Sequence, residues 1–242
     1  MIRNDLHVHS IQSLCGLHTL FEIVEIAARK GMRLVNISDH GSAVGKKMNF
    51  WVLSDKKRCP EKITSSQGKI ISVLAGIETN ILDINGNSDF PHRLISKFDL
   101  VSAGFHHPVG KSADDNTKAL ENYLAQYPLD ILTHPCIATF PLNLEKVVAL
   151  SLEYGFAMEV NNTNLRVEKT DVNQLERLIN LARESSAILV ENSDGHSFFE
   201  IGENDKIEEL LKRLRVDGDE IFINRDDRRL DMFLSQRKKM RE

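Results

Sequence analysis

The chain has little of several features that mark particular classes of protein. Only three of its 242 residues are cysteines, Cys15, Cys59 and Cys136, and they are far apart in the sequence. An odd number of widely spaced cysteines argues against a disulfide framework and indicates a reducing compartment. No apolar run reaches the ~18 residues that a membrane span requires, and the N-terminal MIRNDL lacks the apolar core of a signal peptide. We therefore expect a cytoplasmic protein with no membrane partner.

A strong excess of charge is also absent. The formal net charge is −4, and 27% of the residues are charged. Proteins that bind long nucleic acids carry basic surfaces, often interleaved with aromatic side chains, and no such stripe occurs here. A long nucleic acid is therefore not expected as a partner, and the short basic ending RKKMRE is interpreted as the solvated end of a helix. The sequence makes no prediction of the oligomeric state.

Short runs rich in Val, Ile and Leu alternate with longer segments of helical periodicity. This alternation is typical of βαβ units around a parallel sheet. A chain of 242 residues is long enough for one α/β barrel or for two small domains. The predicted strands cover residues 5–9, 33–37, 70–75, 100–104, 130–133, 157–160 and 187–190.

Five segments are predicted to be amphipathic helices. They are TLFEIVEIAARKGM, NLEKVVALSLEYG, DVNQLERLINLARES, DKIEELLKRLR and residues 226–237. Gly31 and Gly155 end the first two, and glycine is a suitable residue after a helix C-terminus. A long polar segment, residues 41–69, contains the single tryptophan, Trp51. Both a lid over a site and a surface helix with an aromatic anchor are consistent with it.

Residues that can bind metal ions recur where the predicted strands end. Two of them, His7 and His9 in DLHVHS, stand two residues apart, and on a strand both side chains point to one face. In parallel α/β folds the C-terminal ends of the strands open on the same face, so these side chains are expected to converge. The others that follow predicted strands are His40, Glu78, His106, His107, His134, Asp194 and His196.

This set of side chains predicts more than one metal ion. Imidazole and carboxylate together suit Zn²⁺, Mn²⁺ or Fe, whereas Ca²⁺ and Mg²⁺ sites are built mainly from oxygen ligands. A lone histidine after a strand is usually an ordinary hydrogen-bonded loop residue. That explanation does not account for a possible metal ligand at the end of so many predicted strands. Because one catalytic zinc takes about three protein ligands, we expect two or three ions that share a carboxylate. Glu78 is the predicted bridge.

The motifs DLHVHS, SDHG, AGIETN, AGFHHP, THP, EVNN and NSDGHS occur in this order along the chain. This ordered set resembles the PHP (polymerase and histidinol phosphatase) superfamily, and more closely its stand-alone phosphatase-like branch. The resemblance extends from Asp5 to Ser197. It implies one domain over residues 1–242, folded as a small, distorted (β/α)7 TIM-like barrel with a trinuclear metal centre at the C-terminal ends of the strands.

The resemblance also implies which residues hold each ion. The ligands would be His7, His9, Glu78 and Asp194 for the first ion, Glu78, His106 and His134 for the second, and Cys15, His40 and His196 for the third. Members of this branch have a histidine where this chain has Cys15. A thiolate binds zinc well and favours it over manganese. Two alternatives stay open: His18 enters the site on a rearranged loop, or the third site is weak and Cys15 is a small packing residue.

The sequence also makes predictions for four polar residues that are not proposed metal ligands. Asp5 is expected to orient a ligand imidazole, and His107 is expected to lie behind the ligands or at the rim. His92, in the polar FPHRL, is expected at the surface. Arg166, after the sixth predicted strand, is either a bidentate clamp for phosphate or an exposed loop arginine.

The resemblance implies a metal-dependent phosphoesterase that hydrolyses small phosphate monoesters with a metal-bound hydroxide. We expect two or three divalent ions as cofactors, with zinc favoured over Mn or Fe, and a small phosphorylated substrate. The predicted catalytic group consists of His7, His9, Glu78, Asp194 and Arg166. The alternatives are a phosphodiesterase or exonuclease-like hydrolase of nucleotides and a non-catalytic metal-binding interaction module.

Overall fold

The structure is a computed structural model that describes residues 1–44, 60–95 and 97–241. The strands are β1 (Asn4–Val8), β2 (Leu34–Ile37), β3 (Lys62–Thr64), β4 (Ile70–Asn80), β5 (Leu100–Gly104), β6 (Ile131–Leu132), β7 (Ala157–Asn161) and β8 (Leu189–Asn192). The helices are α1 (Leu20–Arg29), α2 (His92–Ile95), α3 (Ala113–Leu124), α4 (Leu144–Tyr154), α5 (Asn162–Arg166), α6 (Val172–Ser185), α7 (Asp205–Leu214), α8 (Gly218–Ile221) and α9 (Asp227–Arg241), with short 3-10 helices at Ile11–Ser13 and Ile223–Arg225.

Seven of the strands form a parallel barrel that is nearly closed. Their order is β1-β2-β4-β5-β6-β7-β8, and each pair of neighbours is parallel. The gap between β8 and β1 is bridged just past the strand ends, where the His9 backbone N–H donates to the Gly195 carbonyl at 2.9 Å. The short β3 pairs antiparallel with β4, outside this path. The predicted distorted (β/α)7 barrel is confirmed.

The barrel interior changes from apolar to polar along the strands. Leu34, Leu100, Ala157 and Val190 lie in one buried cluster with residues of α9, which covers the N-terminal end of the barrel. Alternate residues of a strand face the same side. The positions two residues further along these strands therefore also face inward, and all are buried and polar: Asn36, Ser102, Glu159 and Asn192. The polar half of the interior leads to the C-terminal ends of the strands.

The predicted helices all form, with bounds shifted by a few residues. The elements that were not predicted are the short β3, the short helices α2, α5 and α8, the two 3-10 helices, and α3, which begins with a capping box between Ser112 and Asp115. Strand β4 continues to Asn80, beyond the predicted end at residue 75, so Glu78 lies within the strand. Residues 45–59 of the long polar segment, with Trp51, are outside the described residues, so neither the lid nor the surface helix is tested.

Helix α1 anchors the loop that follows β1. Thr19 and Glu22 form a capping box, in which each side chain bonds the other residue's backbone N–H. Such N-terminal caps contribute about 1 kcal/mol, so they define where the loop ends and the helix begins.

Within the described part of the chain, no helix has the length and apolar character needed to cross a membrane.

Candidate metal centre

Glu78 lies at the centre of a cluster of histidines at the C-terminal ends of the strands. Its Oε2 atom is 3.3 Å from His7 Nε2 and 3.5 Å from His9 Nε2. Its Oε1 atom is 3.1 Å from His134 Nε2 and 3.5 Å from His106 Nε2. Oε2 also lies 2.9 Å from His40 Nδ1. The two carboxylate oxygens therefore face different imidazoles, which is the arrangement that a bridge between two ions needs.

Asp194 forms a group with His7, which lies in β1, and His9, which follows the strand. Its Oδ1 atom is 3.1 Å from His9 Nε2 and 3.5 Å from His7 Nε2. The ligand atoms of these three residues all lie within 4.8 Å of one another. Asp194 has a φ of 51°, a conformation that non-glycine residues adopt at a cost and that is often found at functional sites.

A second group of possible ligands consists of His40, Glu78 and His106, also within 4.8 Å of one another. His40 Nδ1 lies 2.9 Å from Glu78 Oε2, whereas His106 Nδ1 is buried without a hydrogen-bond partner. Leaving a buried polar atom unpaired costs about 1–3 kcal/mol. Bound cations would offset part of this cost, and the mixture of imidazole nitrogen and carboxylate oxygen suits Zn²⁺, Mn²⁺ or Fe. The donor set therefore fits the metal centre that the sequence predicted.

A third group contains the cysteine. The ligand atoms of His9, Cys15, His40 and His196 lie within 4.8 Å of one another. Partial burial would raise the pKa of the Cys15 thiol, but hydrogen bonds with His196 and His40 lower it to about 6. A thiolate with two or three imidazoles is a common donor set for zinc.

The loop between β1 and α1 brings Cys15 to the cluster and points His18 elsewhere. A Cβ atom at Gly16 would lie 2.6 Å from the His9 carbonyl oxygen, so only glycine allows the loop to pack this tightly against the end of β1. His18 Nε2 accepts a hydrogen bond from the Phe198 backbone N–H at 2.9 Å. The Leu17 backbone N–H donates to the His196 carbonyl at 2.9 Å.

The electrostatics of the cluster give its members different charge states. Despite burial, neighbouring acidic groups raise the pKa values of His7, His40 and His196, so these three imidazoles must lose a proton before they bind a metal ion. Burial alone would raise the pKa of Glu78, but His7, His106 and His40 hold it well below its usual range. Burial lowers the pKa of His9 to about 3 and that of His106 to about 3. At neutral pH the carboxylate is thus ionised and these two imidazoles are neutral, and both forms are the ones that bind metal ions.

Several residues beside the cluster were not predicted, among them Thr133, whose Oγ1 donates a hydrogen bond to Glu78 Oε1 at 2.7 Å. Ser13 Oγ lies 3.1 Å from His9 Nδ1 and accepts a hydrogen bond from the His40 backbone N–H at 2.7 Å. Glu159 Oε1 lies 2.7 Å from His7 Nδ1. The position of Glu159 inside a buried apolar strand, AMEVN, was a usable signal, because a carboxylate there needs partners.

The structure corrects the predicted role of Asp5. The expectation was that Asp5 orients a ligand imidazole, but its carboxylate accepts hydrogen bonds from backbone N–H groups, including those of Ser193 and Gly202 at 3.1 Å. Its contact with His7 is also to the backbone N–H, at 3.3 Å. Asp5 thus ties β1 to the segment after β8, and the imidazole of His7 is held by Glu159 instead.

Three predicted residues lie outside the cluster. Arg166 Nη2 is 2.5 Å from Asp205 Oδ1, at the start of α7, so its guanidinium already has a carboxylate partner. His107 is exposed, and its Nε2 lies 3.3 Å from the Ala43 carbonyl oxygen, at the rim. His92 is exposed in α2. The surface position predicted for His92 and the rim position predicted for His107 agree with the structure.

Comparison with known proteins identifies the family. The sequence model of the PHP domain matches residues 5–214. The chain belongs to the PHP-domain family. This PHP chain is 32% identical over 236 residues to a probable phosphatase of Shewanella sp. (strain MR-4), covering 96% of this chain and 91% of that protein. It is also 30% identical over 241 residues to a probable phosphatase of Thermoanaerobacter sp. (strain X514), covering 97% and 95%.

Two solved structures share the fold of this PHP chain. One is histidinol phosphate phosphatase from Lactococcus lactis subsp. lactis Il1403, in complex with zinc, L-histidinol and phosphate. Its TM-score is 0.58 at 14% identity, covering 89% of this chain and 94% of that one. The other is the putative histidinol phosphatase of Listeria monocytogenes, with a TM-score of 0.58 at 15% identity and coverage of 83% and 98%. At these identities the likeness supports the barrel fold alone.

Proposed function

We propose that this PHP-domain protein is a metal-dependent phosphatase that hydrolyses small phosphate monoesters at a centre of divalent ions. The observation that carries the proposal is the cluster of imidazoles and carboxylates around Glu78. The similar proteins from Shewanella and Thermoanaerobacter are named probable phosphatases, which supports a hydrolase of phosphate esters. The zinc in the Lactococcus lactis complex supports a divalent transition metal as cofactor.

We assign three ion sites to the cluster. The proposed ligands are His7, His9, Glu78 and Asp194 for the first ion, Glu78, His106 and His134 for the second, and Cys15, His40 and His196 for the third. Zinc is the proposed metal because the third group includes a thiolate, which favours zinc over manganese. When bound, such ions lower the pKa of a water molecule and neutralise phosphate oxygens.

The protein side chains give the centre its charge and shape. Glu78 and Asp194 are buried, and their pKa values are held well below the usual range despite burial, so each brings a negative charge at neutral pH. An imidazole that binds an ion does so in its neutral form and adds no charge. The described segments that follow β1, β2, β6 and β8, residues 9–19, 38–44, 133–143 and 193–204, contain no lysine or arginine.

The scarcity of cations in these segments bears on the substrate. With no lysine or arginine in them, the charge of a phosphate group would be met by the bound ions. A long phosphodiester would need a basic surface that tracks its backbone. These four described segments offer none, although Lys111 and Arg166 follow β5 and β7, and this favours a small monoester over an oligonucleotide. We leave Arg166 out of the proposed catalytic group because a role as phosphate clamp would require it to leave Asp205.

The test combines metal analysis with a substrate panel. Purified protein is stripped with a chelator, reloaded with Zn²⁺ or Mn²⁺, and assayed on small phosphate monoesters and on diesters, with metal content measured in parallel. We expect hydrolysis of monoesters that is lost on stripping and restored on reloading. Activity on diesters alone would favour the phosphodiesterase alternative. Inactivity of fully loaded protein on every ester would favour the non-catalytic module.

A further inference from the structure

A buried carboxylate lies directly behind the cluster and takes no part in it as a ligand. Glu159, in β7, is 1% exposed. Its Oε1 lies 2.7 Å from His7 Nδ1 and accepts a hydrogen bond from Asn192 Nδ2 at 2.8 Å. Its Oε2 accepts hydrogen bonds from the His134 backbone N–H at 2.8 Å and from Asn161 Nδ2 at 3.0 Å. Four donors occupy the two oxygens, and a carboxylate offers about four lone-pair sites, so none is left for a metal.

The contact between Glu159 and His7 Nδ1 decides that the other ring nitrogen, Nε2, faces the proposed metal centre. Because Glu159 Oε1 accepts at Nδ1, the neutral ring carries its proton on Nδ1 and leaves the Nε2 lone pair free. Nε2 is the atom that faces Glu78 Oε2 at 3.3 Å and Asp194 Oδ1 at 3.5 Å. A carboxylate behind a ligand imidazole both fixes its orientation and strengthens it as a donor.

The contact with His134 holds a strained backbone. His134 has a φ of 36°, in a left-handed region that non-glycine residues adopt only at an energetic cost. Its backbone N–H is held by Glu159 Oε2, and its Nε2 atom reaches Glu78 Oε1 at 3.1 Å. Asn161 Nδ2 extends the network further, because it also lies 3.1 Å from Asp194 Oδ2.

We propose that Glu159 is the positioning residue of the metal centre, aligning His7 through its ring and His134 through its backbone, so that ligands of two different ions are held by one side chain. This inference rests on the proposed metal centre. Glu159 contacts neither an ion nor a substrate, so its effect is expected on metal binding first and on turnover only as a consequence.

The test is the substitution Glu159→Gln, with zinc affinity as the readout. The glutamine amide can accept at one end only, and its NH₂ group would face two donors at the other. We expect zinc affinity, measured by competition with a chromophoric chelator, to fall about 10–100-fold, the range found when such partners of metal ligands are altered.

Glu191→Gln is the matched control. Glu191 is equally buried, at 2% exposure, but its oxygens bond Arg225, at 2.7 and 2.9 Å. Its replacement should lower thermal stability and leave zinc affinity unchanged. An equal loss of zinc affinity in both variants would overturn the proposal, because the effect would then be one of general stability. Wild-type affinity in Glu159→Gln would also overturn it.

If Glu159→Gln does not fold, the protonation of the His7 ring in the wild-type protein provides a second test. In zinc-loaded protein labelled with ¹⁵N histidine, we expect His7 to show a slowly exchanging Nδ1 proton and a metal-bound Nε2. A proton on Nε2 instead would refute the assigned role. Neither readout uses turnover, so a protein that binds zinc normally but hydrolyses no phosphate ester would refute the proposed function and not this inference. Failure to bind zinc at all would refute both.

Discussion

Replacing Cys15 with serine should remove one zinc ion per chain and leave the ions around Glu78 in place. The thiol is one of four donors that lie within 4.8 Å of one another, together with His9, His40 and His196. Altering a partner of a ligand already weakens metal binding about 10–100-fold, and removal of a ligand atom itself should cost at least as much. The cysteine is exposed, so the change in folding free energy should stay within about 0.5 kcal/mol.

The assay has two parts. Zinc content per chain is measured after equilibration in a zinc buffer, and the Co²⁺-substituted protein is examined for the near-ultraviolet charge-transfer band of a thiolate ligand. Cys15→Ser should lose both the ion and the band. Cys15→His should keep the ion and lose only the band, because imidazole replaces sulfur as a donor.

Cys136→Ser is the control for the loss of a thiol. Cys136 is 5% exposed and packs in the apolar cluster on the outside of the barrel, so its substitution should lower stability without changing metal content. The reasoning would be refuted if Cys15→Ser bound the same number of zinc ions with the wild-type affinity and an unchanged cobalt spectrum. Cys15 would then be only a packing residue.

Three other predictions concern the same centre. Asp194→Asn should reduce zinc content and phosphatase turnover together, and wild-type turnover at full metal content would contradict the ligand assignment. Gly104→Ala should weaken zinc binding in the chelator competition assay, because a Cβ atom there would lie 2.7 Å from His134 Cε1; unchanged affinity would show that His134 can move without loss. In chelator-stripped protein, alkylation of Cys15 by iodoacetamide should rise with pH around a midpoint near 6, since its pKa is lowered to about 6 and the thiolate is the reactive form. Cys136, whose thiol pKa is raised by burial, serves as the unreactive reference, and a Cys15 midpoint near the ordinary value would contradict the contacts with His40 and His196.

Local periodicity was sufficient to predict most of the barrel. The predicted strands and helices appear within a few residues of their predicted bounds, because strand and helix patterns depend on neighbours along the chain. The end of β4 was placed too early, at residue 75. Gly76 and the charged Glu78 interrupt the apolar run there, yet the sheet continues because Gly76 to Asn80 pair with residues of β5. That pairing is a tertiary contact, and no local pattern reports it.

The sequence by itself determined which residues could bind metal and that they would meet, since parallel strands all end on one face. Only the tertiary structure decided which partner each ligand has. Asp5, two residues from His7, was the partner favoured by proximity in sequence, but the side chain behind the imidazole is Glu159, 152 residues away. Likewise, Cys15 and not His18 reaches the cluster, because His18 bonds Phe198 from the segment after β8. Both outcomes depend on closure of the barrel, which joins strands from opposite ends of the chain.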